Sequence, residues 1–137
     1  MLGRRPRGDF DVVVRDAAGD PRVVRNAPLL DDATPMPTRY WLVGSRDIKR
    51  VSQLEADGGV DRAEREIDPE TLAAAHVAYA DERDALIPVD HAGPRPSGGV
   101  GGTRRGVKCL HAHFAAWLAG NDDPVGAWVA AHLGEVR

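Results

Sequence analysis

The N-terminal third of the chain carries apolar residues at alternate positions, with the period of a β-strand. Phe10, Val12 and Val14 follow this spacing, and a second apolar run, PRVVRNAP, begins at Pro21. Between the runs, Gly19-Asp20 supplies turn chemistry, so the pattern predicts a β-hairpin. A third, short strand is predicted at TRYWLVG, which is rich in aromatic and branched residues and follows a proline-containing loop.

Helical spacing replaces this alternation from residue 45 onward. A first helix is predicted from the capping residue Ser45 to Gly58-Gly59. A second starts at Asp68-Pro69, where an acid that can cap is followed by proline, and it ends at Pro88. Along it, residues recur at helical spacing: Leu72, His76, Tyr79, Arg83 and Leu86.

Two C-terminal helices complete the pattern, one over 107–119 and one starting at Asp123-Pro124. Their apolar stripes predict burial of four large side chains, Phe114, Trp117, Trp128 and Leu133. The predicted fold class is α+β: the hairpin and third strand form a small antiparallel sheet packed against about four helices. Residues 1–137 are expected to form a single domain with a flexible basic tail at about 1–8.

Charge is distributed unevenly, although the 137 residues sum to a net charge of only −3. No Asp or Glu occurs between His91 and Asn121, and Arg104, Arg105 and Lys108 lie in that stretch. A basic loop of this kind favours an anionic partner. The acidic middle of the chain disfavours nucleic acid. There is no apolar run of membrane-spanning length and no secretory signal, and the single cysteine agrees with a reducing compartment, so a cytoplasmic location without membrane contact is expected.

The glycine-rich stretch SGGVGGTRRGVKC, residues 97–109, is the main candidate for binding. It matches neither the Walker A pattern nor the dinucleotide-binding pattern. Its glycines could still turn backbone N–H groups toward an anion near a helix start. We therefore expect a phosphate- or carboxylate-type ligand at six residues, Gly101, Gly102, Thr103, Arg104, Arg105 and Lys108. The alternative is a flexible connector with solvated arginines.

The segment CLHAH contains the only cysteine and two histidines. On a regular helix Cys109 and His113 share one flank and His111 lies on the other, so these three could not bind one metal ion. Cys109 and His113 are the candidates for catalysis, and a thiol near Lys108 and a helix start would have a lowered pKa. A buried structural cysteine is the main alternative. Neither a metal nor another cofactor is expected.

Two blocks, PMPTRYWLVGSRDIKRVSQLEADGGV and SGGVGGTRRGVKCLHAHFAAWLAGNDDPVGAWV, resemble the actinobacterial domain-of-unknown-function 501 family. The resemblance implies a small cytoplasmic protein with a link to phosphate metabolism, and it assigns no activity. Relatives tend to carry Cys-Pro at Gly44-Ser45 and a cysteine near Asp16. Their absence from this chain implies that any cysteine-based metal or redox site of the family is lost or altered.

Two functional hypotheses follow, and neither decides whether the protein is an enzyme. In the first, the protein binds a phosphate-containing or carboxylate ligand at the glycine-rich loop and the following helix N-terminus. In the alternative, it is a non-catalytic module that binds a protein partner.

Overall fold

The computed structural model describes residues 9–137, so the predicted flexible tail at 1–8 lies outside the described residues. Strands β1 (Phe10–Arg15), β2 (Pro21–Asn26) and β3 (Tyr40–Leu42) form one antiparallel sheet in the order β1-β2-β3. The turn of the hairpin is fixed by Asp16, whose Oδ1 accepts hydrogen bonds from the N–H groups of Ala18 and Asp20, both at 2.9 Å. The predicted hairpin and third strand are confirmed.

Five helices follow the sheet: α1 (Ser45–Ala56), α2 (Gly59–Glu66), α3 (Pro69–Asp84), α4 (Leu110–Leu118) and α5 (Pro124–Leu133). The α+β class is therefore confirmed, with one helix more than the predicted four. The additional helix is α2. Gly58, at φ 85°, does end α1 as its sequence suggested, but the chain becomes helical again at the next residue.

Helix α4 forms the centre of the core and packs against β3 and α5. Most of its residues are buried, and Phe114 is completely inaccessible. Trp117, Trp128 and Leu133 pack against this core but keep part of their surface exposed, so their predicted burial is incomplete. Gly126 lets α5 approach closely, because a Cβ atom there would collide with the backbone of α4 at His113.

Two polar contacts join the sheet to the helices. Arg22 of β2 donates to both carboxylate oxygens of Asp47 on α1, at 2.9 and 2.8 Å, and to Glu135 at 2.7 Å. The hydroxyl oxygen of Tyr79 on α3 accepts from the N–H groups of Arg39 and Tyr40, at 2.6 and 3.1 Å. Within residues 9–137, none of the helices has the length and apolar character needed to cross a bilayer.

Candidate thiol site and glycine-rich loop

Cys109 lies immediately before helix α4, not inside it. Its backbone is extended, at φ −150° and ψ 151°, and the helix begins at Leu110 instead of the predicted Val107. The predicted pairing of Cys109 with His113 on one helix flank is therefore wrong, because the angular spacing of a helix does not apply to a residue outside it. The structure places His111, and not His113, beside the thiol.

Helix α1 completes the surroundings of Cys109 with Glu55 and Ser52. One oxygen of Glu55, Oε2, accepts a hydrogen bond from the N–H of Leu110 at 2.7 Å and lies 3.3 Å from Nδ1 of His111. The other ring nitrogen of His111, Nε2, is 3.0 Å from Oγ of Ser52. Ligand-type atoms of Glu55, Cys109 and His111 all lie within 4.8 Å of one another. We call these three residues the thiol cluster.

Charge favours the ionised forms of the thiol and the imidazole. Burial and the negative charge of Glu55 raise the pKa of Cys109, but hydrogen bonds from His111 and from the N–H of Ala112 outweigh them, and the pKa lies below the usual value of a thiol. The hydrogen bond to Cys109 raises the pKa of His111 despite partial burial, and Glu55 adds to this rise. The arrangement therefore stabilises a thiolate next to an imidazolium.

The thiol cluster also has the residue types that bind zinc. Three protein ligands with one open position are the pattern of catalytic zinc sites, whereas structural sites have four protein ligands. Of the residues that the structure describes, only Glu55, Cys109 and His111 meet as such a group. They could hold a metal ion, but they cannot form a closed structural site by themselves.

His113 belongs to a separate, buried arrangement. Its Nδ1 lies 2.8 and 3.0 Å from the two carboxylate oxygens of Asp123, which also accepts the N–H of Gly126 and so caps α5. His113 is 1% exposed, and its Nε2 contacts no hydrogen-bonding partner among the described residues. It packs edge-on against the ring of His76, with ring centroids 5.6 Å apart. These contacts give His113 a structural role, away from Cys109.

The glycine-rich loop is a closed turn held by its own backbone. The N–H of Gly99 donates to the carbonyl of Thr103 at 2.7 Å, and the N–H of Gly102 donates to the carbonyl of Gly99 at 3.0 Å. Glu64 on α2 accepts the N–H of Val107 at 2.8 Å, and its carboxylate approaches Gly106 so closely that a Cβ atom would not fit there.

These hydrogen bonds use backbone N–H groups that were expected to bind an anion. Of the N–H groups expected to face a ligand, those of Gly102, Thr103, Arg105 and Val107 already donate to acceptors of the protein. The expected backbone cradle over 101–107 is therefore wrong in that part. Oγ1 of Thr103 is also occupied, since it donates to the carbonyl of Arg105 at 2.9 Å.

The cationic side chains of the loop remain available. Arg104, Arg105 and Lys108 are exposed, and none of them forms an ion pair with a carboxylate of residues 9–137. Arg104 lies between two cavities of about 340 and 440 Å³, and Arg105 lines the second of them. The positive charge that the loop can present to an anion therefore comes from these three side chains.

The two positions that the family resemblance singled out line a common cavity. Asp16 and the pair Gly44-Ser45 line one cavity of about 690 Å³ at the start of α1. Cys109 does not line this cavity. A cysteine site built from those positions would therefore be separate from the thiol cluster.

Similarity to known proteins agrees with the resemblance noted in the sequence. No match was found among curated proteins or among solved structures. A family model described as "Protein of unknown function (DUF501)" matches residues 12–131, which include β2, β3, helices α1 to α4, the thiol cluster and most of β1 and α5. The chain therefore belongs to the DUF501 family.

Proposed function

We propose that the protein is a reactive-thiol protein in which Cys109 exchanges with small anionic disulfides. The observation that carries this proposal is the meeting of Cys109, His111 and Glu55 at the start of α4, within 4.8 Å. A cysteine at a helix N-terminus beside a histidine is the usual environment of a reactive thiol. The lowered pKa of Cys109 and the raised pKa of His111 support this interpretation.

The reaction follows from the chemistry of the three side chains. His111 takes the thiol proton, and the Cys109 thiolate attacks one sulfur of the disulfide. The bond between the two substrate sulfurs breaks, a new bond forms to Sγ of Cys109, and the leaving thiolate takes the proton from His111. Glu55 holds the imidazolium in place through its contact with Nδ1.

Anionic substrates are favoured by the charge that precedes the thiol. Lys108 is adjacent to Cys109 in the chain, and Arg104 and Arg105 follow the glycines of the same segment. In this proposal the anion-binding hypothesis takes a narrower form: these three cationic side chains attract a substrate that carries carboxylates. Because the chain has one cysteine, a second thiol from outside must release the product from Cys109. The predicted cytoplasmic location, where such thiols are abundant, stays a prediction.

The test measures the rate at which Cys109 forms a mixed disulfide, read by intact mass, with oxidised glutathione as the anionic probe and cystamine as the cationic one. A lowered thiol pKa gives more thiolate near neutral pH, and this gain exceeds the accompanying loss of intrinsic nucleophilicity, so Cys109 should react faster than free cysteine. His111→Gln should remove this gain. His91→Gln, which changes a histidine of the 88–96 loop, is the matched control and should not.

A second comparison tests whether the cationic side chains attract the anionic disulfide. Replacing Arg104, Arg105 and Lys108 together by alanine should reduce the preference for oxidised glutathione over cystamine, more so at low salt. If Cys109 reacts no faster than free cysteine and His111→Gln changes nothing, the reactive-thiol proposal fails. The protein-interaction module would then be the hypothesis to pursue.

A further inference from the structure

One imidazole holds the glycine-rich loop at two points. His76 on α3 is 3% exposed, and its Nδ1 accepts the N–H of Val100 at 3.0 Å. Its Nε2 lies 2.9 Å from the carbonyl oxygen of Gly106. A backbone N–H only donates and a carbonyl only accepts, so Nε2 must carry the proton and Nδ1 must be unprotonated. The two contacts therefore require the neutral ring in a single tautomer.

The loop fits closely against this part of α3. A Cβ atom on Gly99 would lie 2.6 Å from Cα of His76, so the backbone of the loop touches the helix directly. The segment between the two anchor points, 101–105, contains Arg104 and Arg105. The position of this cationic segment thus depends on the state of one side chain. Val107, just beyond the second anchor, is held separately by Glu64.

The groups around His76 oppose its protonation on balance. Burial is the largest cause that lowers the pKa of His76, and His113 on α4 lowers it further. The Gly106 carbonyl and Asp123 at the start of α5 act in the other direction. Further charged groups line the same cavity as the ring, namely Asp81, Arg83 and Asp84 on α3 and Arg104 in the loop.

We propose that His76 is a proton-sensitive latch that holds residues 99–106 on α3 when neutral and releases the Val100 end of this segment when protonated. A proton on Nδ1 removes the acceptor of the Val100 N–H and leaves two donors facing each other. The contact to Gly106 is kept by the imidazolium, so the loop opens first at Val100. This latch does not depend on the chemistry of Cys109.

The direction of the pH effect follows from the lowered pKa of His76. The unfolded or opened chain binds the proton more readily than the closed one, so the closed loop is fully stable above the ordinary histidine pKa of about 6.5. Its stability then falls as the pH drops below that value toward the pKa of the closed form. The loop is held at neutral pH and loosened in mild acid.

The experiment uses the full-length protein and measures amide hydrogen exchange of Val100 by NMR, corrected for the intrinsic pH dependence of exchange. Between about pH 7.5 and 5.5, protection of Val100 should fall, by at most about tenfold, because an opened chain with the ordinary histidine pKa of about 6.5 is mostly protonated at the lower pH. Amides of the α4 core, such as that of Ala115, should keep their protection. In the same samples, imidazole nitrogen shifts should show His76 as the Nε2–H tautomer at neutral pH.

Substitutions separate the latch from other titrating groups. His76→Gln replaces the ring with a side chain that has a donor and an acceptor but does not titrate, so the pH dependence at Val100 should disappear. His91→Gln is the matched control and should leave it unchanged. An Nδ1–H tautomer of His76, or loss of Val100 protection that follows the titration of His113 instead of His76, would overturn the proposal. So would pH-independent protection in the native chain, and this readout stands even if His76→Gln fails to fold.

Discussion

Nδ1 of His113 lies 2.8 Å from a carboxylate oxygen of Asp123, and both side chains are almost completely buried. The same carboxylate accepts the N–H of Gly126 at 2.9 Å. Asp123 therefore has two tasks: it satisfies a buried ring nitrogen of α4, and it caps the first turn of α5. The angle between the two C-terminal helices is fixed at this residue.

Asp123→Ala should destabilise the protein by about 2–4 kcal/mol. The estimate adds the loss of an N-cap, about 1 kcal/mol, to the cost of leaving a buried polar group unpaired, about 1–3 kcal/mol. Urea unfolding followed by circular dichroism measures it. The neighbouring Asp122 is exposed, and Asp122→Ala should stay within about 0.5 kcal/mol of the native protein. Equal effects of the two substitutions would contradict this account.

Phe114→Ala should cost more than Trp117→Ala, although tryptophan is the larger residue. Phe114 is completely buried in the core, and its removal should cost ~3–5 kcal/mol. Trp117 keeps exposed surface, stacks on Phe114 with ring centroids 6.2 Å apart, and is covered by Arg137. The free energy of unfolding of both variants decides the order, and a larger loss for Trp117→Ala would show that the α4 stripe is buried differently.

Tyr79 should be the last tyrosine to ionise. Burial raises its pKa to about 12, above the value of about 10 for an exposed phenol. The folded protein favours the protonated phenol of Tyr79. The resulting contribution to the free energy of unfolding is complete below about pH 10 and is lost as the pH rises toward 12. Difference absorbance of the phenolate during an alkaline titration measures this. A Tyr79 that ionises before Tyr40 or together with it, the other tyrosine of the chain, would contradict it.

Tyr79→Phe should itself destabilise the protein. The hydroxyl oxygen accepts the N–H groups of Arg39 and Tyr40, and its removal leaves them without an acceptor, at a cost of roughly 1–3 kcal/mol. Tyr40→Phe is the matched control. The hydroxyl of Tyr40 pairs with Glu82, whose side chain is 40% exposed, so water can replace it and the loss should be smaller. Thermal unfolding of the two variants gives the comparison.

Treatment with a chelator should leave the thermal midpoint unchanged, and protein purified without a nickel column should contain no stoichiometric zinc. The thiol cluster supplies three ligands, and a closed structural zinc site requires four. Oε2 of Glu55 already accepts the N–H of Leu110, and Nε2 of His111 is paired with Oγ of Ser52, so a bound zinc ion would compete with these contacts. Elemental analysis tests this directly. One zinc per chain that disappears in Cys109→Ser would contradict it, and would make the thiol cluster a metal site.

The elements that were predictable from the sequence have local signals. Helices α3 and α5 start at the predicted Asp-Pro pairs because Asp68 and Asp123 accept N–H groups at 2.9 Å, within three residues of themselves. Helix α2 was missed because Gly58-Gly59 carries the signal for a helix end. A second helix directly after it has few apolar residues, and packing of Ala63 in the core stabilises it.

The thiol cluster was not predictable, since Glu55 and its neighbour Ser52 come from the distant helix α1. Ser52 and His111 are 59 residues apart, and Glu55 and Leu110 are 55 apart. No local pattern around residue 52 or 55 marks them as neighbours of a cysteine. The start of α4 was also misplaced. The predicted helix included residues 107–109, which precede the observed one, and for this reason His113 instead of His111 was expected beside Cys109.

The ion pair between Arg22 and Glu135 has a consequence for the order in which the molecule assembles. The two residues are 113 positions apart, whereas Arg22 and Asp47 are separated by 25. During synthesis on the ribosome, β2 and α1 can meet as soon as both have emerged, but their shared contact with Glu135 must wait for α5. Closing the longer loop also costs more chain entropy. We therefore expect the contact of Arg22 with Glu135 to form after its contact with Asp47, and a nascent chain whose α5 is still in the exit tunnel has an incomplete junction between sheet and helices.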